Sequence, residues 1–118
     1  MGRNKEAFDL KCNYFKVEVF IPESALDRLQ HELNAVGALT LNGNYDYCMS
    51  VTEVTGFWRP LEGAKPFIGS ENHISRETEL KIEFNCKDEV LKKAIDTIRA
   101  YHPYEEPVIN VISLWSLD

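Results

Sequence analysis

The sequence has no apolar run near the roughly 20 residues that a membrane-spanning helix needs. Its opening, Met1-Gly2-Arg3-Asn4-Lys5-Glu6, is followed by no apolar stretch, so a secretory signal is not expected. Basic charge is scarce. Thirteen Lys and Arg stand against nineteen Asp and Glu, for a net charge of −6. Phosphate neutralisation needs a basic surface, so no nucleic acid partner is expected. An anionic membrane surface is disfavoured for the same reason. Cysteine is scarce too: Cys12, Cys48 and Cys86 are an odd number with no CxxC pair. That argues against a disulfide framework or a structural zinc knuckle, and for three reduced thiols in the cytoplasm. There is no HEXXH, no P-loop and no GxGxxG, and no low-complexity segment or Ser/Pro-rich linker.

What is present reads as one globular domain. The chain has 118 residues, 44% hydrophobic and 27% charged, enough for a core without staples. Residues 1–13 carry no clear period and read as an N-terminal tail, which leaves 14–118 as the domain. Tyr14 to Ile21 alternates, with Phe15, Val17, Val19 and Ile21 on one side, as a strand does. Leu26, Leu29, Leu33 and Val36 then fall on one helical stripe, closed by Gly37. A second extended stretch is expected from about Asp46 to Thr55. The order then repeats. Glu77 to Phe84 alternates, Asp88 to Tyr101 is helical with Pro103 as its stop, and Val108 to Trp115 is rich in β-branched residues. Strand–helix–strand, twice, predicts an α+β fold: a ferredoxin-like βαββαβ sandwich, with a four-stranded antiparallel sheet and two helices on one face. The second sheet face must be covered or solvated. Phe20 and the last strand's apolar residues suggest an apolar face that favours a homo-oligomer.

Three segments do not fit that frame. The first is the long loop between the second and third strands, from Gly56 to Gly69, far beyond the two to five residues of a common hairpin. Its anchors are Trp58 and Phe67, its polar groups Arg59 and Glu62, and its backbone pivots Gly56, Gly63 and Gly69. It either clamps a neighbouring subunit or walls a ligand pocket. The second is His102-Pro103-Tyr104-Glu105-Glu106-Pro107. His102, Glu105 and Glu106 are candidate ligands for a divalent metal, or an acid–base group. The plainer reading, favoured because the cluster lacks the fixed ligand spacing of a metal motif, is that His102 caps the second helix and Glu105 pairs with a lysine. The third is Asn42-Gly43-Asn44-Tyr45-Asp46-Tyr47-Cys48. Asn-Gly signals a turn, Asp46 and Cys48 are expected on one strand face, and Tyr45, Asp46 and Cys48 join the candidate ligands. A carboxylate beside a thiol makes a poor nucleophile. His31 and His73 read as surface residues.

Those three segments together resemble the YqfO-type domain, an insertion within the larger Nif-three-like family that also occurs alone. The likeness runs over about residues 14–115, with one departure: Val54 stands where the family reads Gly. His-Pro-Tyr-Glu-x-Pro is also similar to the closing signature of CutA proteins, ferredoxin-like homotrimers related in fold to PII proteins and associated with divalent metal tolerance. The resemblance implies a CutA/PII-like fold, self as the partner, and a small ligand or divalent metal at subunit clefts. In the Nif-three-like family the dinuclear metal site belongs to the halves that flank this domain. This chain is therefore expected not to be an enzyme. Two alternatives stand beside the binding module: an interaction protein without a small ligand, and a metal-dependent hydrolase using His102 with Glu105 or Glu106.

Overall fold

The computed structural model describes residues 10–117, with side-chain surroundings for 12–115. Strand β1 (Leu10–Ile21) ends at Pro22, which cannot donate to a ladder. A 3-10 turn at Glu23–Ala25 leads into α1 (Leu26–Ala35), whose buried stripe is Leu29 and Leu33. Gly37, at φ 85°, turns the chain out of α1 while the Ala38 amide bonds the Leu33 carbonyl at 3.1 Å. Strands β2 (Ser50–Trp58) and β3 (Ser75–Lys87) follow, then α2 (Asp88–Tyr101) and β4 (Ile109–Leu117). His102 sits at ψ 130°, and Pro103 after it keeps the chain from continuing as a helix.

The sheet order is β2-β3-β1-β4, antiparallel throughout, the ferredoxin-like arrangement expected. Both helices lie on one face. Their Leu29, Leu33, Ala94 and Ile98 pack on Val17, Val19, Ile21, Leu80, Ile82 and Phe84 of the two central strands. Among the described residues no helix is long and apolar enough to cross a membrane.

The ends of β3 and β4 fall one to three residues from the pattern, and three other boundaries differ in ways that bear on the site. β1 starts at Leu10, so residues 10–13 are strand rather than tail; residues 1–9 lie outside the described part. Extension there is masked in sequence because the pairing with β4 shifts register between Lys11 and Tyr14. β2 starts at Ser50 rather than Asp46. Tyr47 adopts φ 56°, and its amide bonds Asn34 Oδ1 at 2.8 Å, which folds residues 42–49 against α1. Asp46 and Cys48 are therefore loop residues and do not share a strand face. At its other end β2 includes Gly56, Phe57 and Trp58, so the long loop runs over 59–74.

The uncovered sheet face is also less apolar than expected. Its centre carries Lys16, Glu18, Lys81 and Glu83, with the Lys81 ammonium 3.5 Å from Glu18 and 3.1 Å from Glu83. The Glu83 carboxyl is held below its ordinary range by Lys81. Among the strand residues, the exposed large apolar side chains are on the edge strands: Val51 and Phe57 on β2, and Val111, Ile112 and Trp115 on β4.

Cys86 lies in the core, and burial pushes its thiol up to about 11. Thiolate is the reactive form. At pH 7.5 iodoacetamide is expected to label the half-buried Cys48 and spare Cys86 until urea unfolds the protein. Mass mapping that finds native Cys86 labelled as fast as Cys48 overturns this.

Candidate functional site

The end of β2, the start of β3, the 59–74 loop and the turn after α2 meet at one corner of the uncovered face. Pro103 sends the chain back over the sheet. His102 Nε2–H donates to the Phe20 carbonyl at 2.7 Å, and Nδ1 accepts the Tyr104 amide at 3.1 Å. Both ring nitrogens are thus used, and the second needs a lone pair, so the imidazole is neutral. Burial lowers its pKa, against the opposing pull of the Phe20 carbonyl and the Glu79 charge.

That turn aims Tyr104 at β3. Its hydroxyl donates to Glu79 Oε2 at 2.6 Å. Glu79 is only 7% exposed, although it stands among the outward positions of its strand. Gly56 makes room for it: a Cβ there would overlap the Glu79 carboxylate. The Tyr104 hydroxyl is raised above its ordinary pKa by burial, then by the bond to Glu79 and by the Glu79 and Glu77 charges.

Aromatic rings complete the corner. The Tyr104 ring is 6.2 Å from Trp58 and 6.1 Å from Phe67 between centroids, both tilted. The Trp58 indole N–H bonds the Ile68 carbonyl at 3.1 Å. Gly69, at φ 105°, fits beneath it where a side chain would meet Ser75 and the indole. The Lys65 amide donates to Glu105 Oε1 at 3.0 Å, tying loop to turn. Between them opens a cleft of about 530 Å³. Its walls are mainly apolar, with Phe20, Phe57, Leu61 and Phe67 beside the rings already named, and Arg59, Glu79, Glu105 and Glu106 as the charged groups.

The candidate residues therefore divide. Trp58, Arg59, Phe67, Glu105 and Glu106 line the cleft, while His102 and Gly56 support it from behind. Glu62 is exposed on the loop, and the Gly63 amide, at φ 88°, bonds Glu71 at 3.2 Å. The expected pairing of Glu105 with a lysine is not seen among the described residues; what Glu105 meets is the Lys65 backbone amide. Tyr45, Asp46 and Cys48 lie before the other end of β2. There Asp46 accepts from Asn34 at 3.3 Å, and Cys48 borders a groove with Lys16 and Glu83. Within one chain they do not join His102. Among the described residues no three His, Cys, Asp or Glu side chains are grouped to hold a metal ion. With both His102 nitrogens engaged, a divalent metal does not fit this set in a single chain. The sequence reading missed Glu79, Tyr104, Phe20 and Phe57 as site residues. Glu79 sits in the alternation Glu77-Glu79-Lys81-Glu83 and looks like one more solvated position. Gly56 inside a strand was the signal that something approaches closely there.

No family model matches the chain. It is 38% identical over 101 residues to the GTP cyclohydrolase 1 type 2 homolog of Staphylococcus epidermidis, covering 86% of this chain and 27% of that one. The chain thus spans about a quarter of the length of the curated relatives it matches. A Bacillus cereus protein related to NIF3 superposes with a TM-score of 0.74 at 26% identity, over 96% of this chain and 30% of that one. CutA from Synechococcus elongatus superposes with a TM-score of 0.66 at 20% identity, over 95% and 88%. The GlnK–ATP complex of Bacillus subtilis does so at 0.59 and 16%, over 86% and 83%. The fold is accordingly that of the CutA and PII class. By sequence, the chain is the counterpart of one domain of the NIF3-like proteins.

Proposed function

We propose that this chain is a non-catalytic binding module that holds a small ligand in the cleft between the 59–74 loop and the 102–107 turn, and that it works as a homo-oligomer. One observation carries the reading: an aromatic-walled cleft of about 530 Å³, within the usual range of small-molecule sites, whose two sides are tied by Lys65 and Glu105. The likeness to a GlnK–ATP complex adds a ligand-bound precedent in the same fold class, and CutA1 of Ehrlichia chaffeensis, a divalent ion tolerance protein, shares that fold. The exposed edge strands β2 and β4, with Phe57 on one and Val111, Ile112 and Trp115 on the other, support self-association. A divalent cation in this scheme sits at a subunit boundary, with a second copy completing Glu105 and Glu106 or Asp46 and Cys48. No reaction step is assigned. His102, the expected base, spends both nitrogens on its own backbone, so the cyclohydrolase name of the longer relatives is not carried over.

The test is a ¹⁵N-labelled sample titrated with amines, nucleotides, carboxylates and divalent cations, alongside sedimentation velocity. Expected are a sedimenting species larger than one chain and saturable shifts of the Trp58 indole and Tyr104 amide with one class. A folded protein whose cleft signals ignore every class overturns the small-ligand reading, and a monomer at all concentrations overturns the oligomer.

A further inference from the structure

The cleft holds a charge that its own chain does not balance. Glu79 is 7% exposed, and among the described residues it forms no ion pair. A buried carboxylate is costly unless a hydrogen bond and a counter-charge meet it. Tyr104 supplies the hydrogen bond. The adjacent imidazole, His102, is neutral because its Nδ1 accepts the Tyr104 amide. The other charges on the cleft wall do not help, since Arg59 is the one cation among its lining residues, against the three carboxylates Glu79, Glu105 and Glu106. Around the same opening stand Trp58, Phe67 and Tyr104, whose ring faces attract cations. Gly56 shows that the carboxylate belongs where it is, because any side chain there would displace it.

We infer that the cleft takes a small organic cation, an ammonium or guanidinium on a flat apolar body, with its charge against Glu79 and its body among Trp58, Phe67 and Tyr104. This rests on the small-ligand reading above and names the ligand's class. A divalent ion fits less well, since six or more oxygens are its usual shell and these walls are largely carbon. The cation has two possible sources: a free amine, or a Lys or Arg side chain of a second copy seated in the cleft.

Three probes sharing one ring separate the ideas: benzylammonium, benzyl alcohol and benzoate, followed by the Trp58 indole and Tyr104 amide signals. Benzylammonium is expected to bind about tenfold tighter than the alcohol, a cation–π and ion-pair increment of ordinary size, with benzoate weakest. Glu79→Gln keeps an acceptor for Tyr104 and should erase the preference. Phe67→Ala, at a position 53% exposed and so tolerant of truncation, should weaken the cation without unfolding the protein. Sedimentation velocity is repeated with and without saturating benzylammonium. An assembly that dissociates as the amine binds identifies the cation as a second copy's side chain; an assembly that stays intact with the amine bound identifies a free amine. Benzoate, a nucleotide or a divalent ion moving the same signals more tightly than benzylammonium overturns the cation while leaving a small-ligand cleft. A preference that survives in Glu79→Gln also overturns it. If no probe and no compound of the wider panel moves those signals, the cleft reading fails with it.

Discussion

His102→Ala is expected to lower the unfolding free energy by about 2–4 kcal/mol, the cost of leaving two half-buried backbone groups without partners and of emptying the buried space of the ring. The groups are the Phe20 carbonyl, 82 residues before His102 in the sequence, and the Tyr104 amide, two residues after it. In a domain of this size the loss is a fall in Tm of roughly 10 °C. The damage should be local as well as global, because the Tyr104 amide is held by the ring that is removed. Without it the Tyr104–Glu79 bond loses its positioning, so the Tyr104 amide should exchange with solvent faster than amides of α1. Urea titration with hydrogen exchange reads both. A variant with unchanged midpoint and exchange would mean that the imidazole is a passenger.

The same residue gives a pH signature. Burial depresses the His102 pKa in the folded state, while in the unfolded chain it titrates near its ordinary value of about 6.5. Between the two values the unfolded chain binds more protons than the folded one, so stability rises with pH across that window. The contribution is fully present above about pH 6.5 and is lost as pH falls towards the depressed folded value. Glu83, held down by Lys81, loses its contribution in a separate and more acid range. Urea midpoints at pH 7.5, 6.5 and 5.5 should therefore decline in the native sequence and decline less in His102→Gln. Parallel declines would refute the assignment.

How far the sequence could be read depends on what kind of interaction fixed each feature. Periodicity reports burial against a neighbouring layer, and Val17, Val19, Ile21, Leu80, Ile82 and Phe84 are buried as their alternation requires. The helix from Asp88 to Tyr101 was legible because an acidic first turn, an apolar stripe and a Pro stop agree. Features set by contacts between distant segments were not. The strand reading of Asp46–Met49 failed because Asn34, on α1, captures the Tyr47 amide. The 102–107 segment was singled out for its His and carboxylates, yet its reach into the sheet depends on Tyr104. Glu79 could not be told from the solvated carboxylates beside it, since only the return of residue 104 over β3 buries it. Trp58 and Phe67 were visible as unusual loop residues, but whether they face a partner or their own chain is decided by Ile68 and Tyr104.

That last distinction makes Trp58→Ala the most informative single change. The indole bonds the Ile68 carbonyl, packs against Tyr104 and covers Gly69, so it fastens the 59–74 loop to the sheet of its own chain. Truncating a buried Trp typically costs about 3–5 kcal/mol; for this half-buried ring about 2–3 kcal/mol is expected. The loop has its own internal bonds, from the Asn72 amide to Pro60 at 2.7 Å and the Gly63 amide to Glu71 at 3.2 Å, and those alone should not hold it down. In hydrogen exchange the Lys65 and Asn72 amides are expected to lose protection while the Leu29–Leu33 stretch of α1 keeps it. Trp58→Phe, which keeps a ring against Tyr104 but loses the N–H, should fall between the two. The assembly should persist, because the edge residues Phe57, Val111, Ile112 and Trp115 are untouched. If Trp58→Ala instead yields monomers while Lys65 and Asn72 stay protected, Trp58 is an anchor in a neighbouring subunit, the cleft is one side of an interface, and Glu79 takes its counter-charge from there.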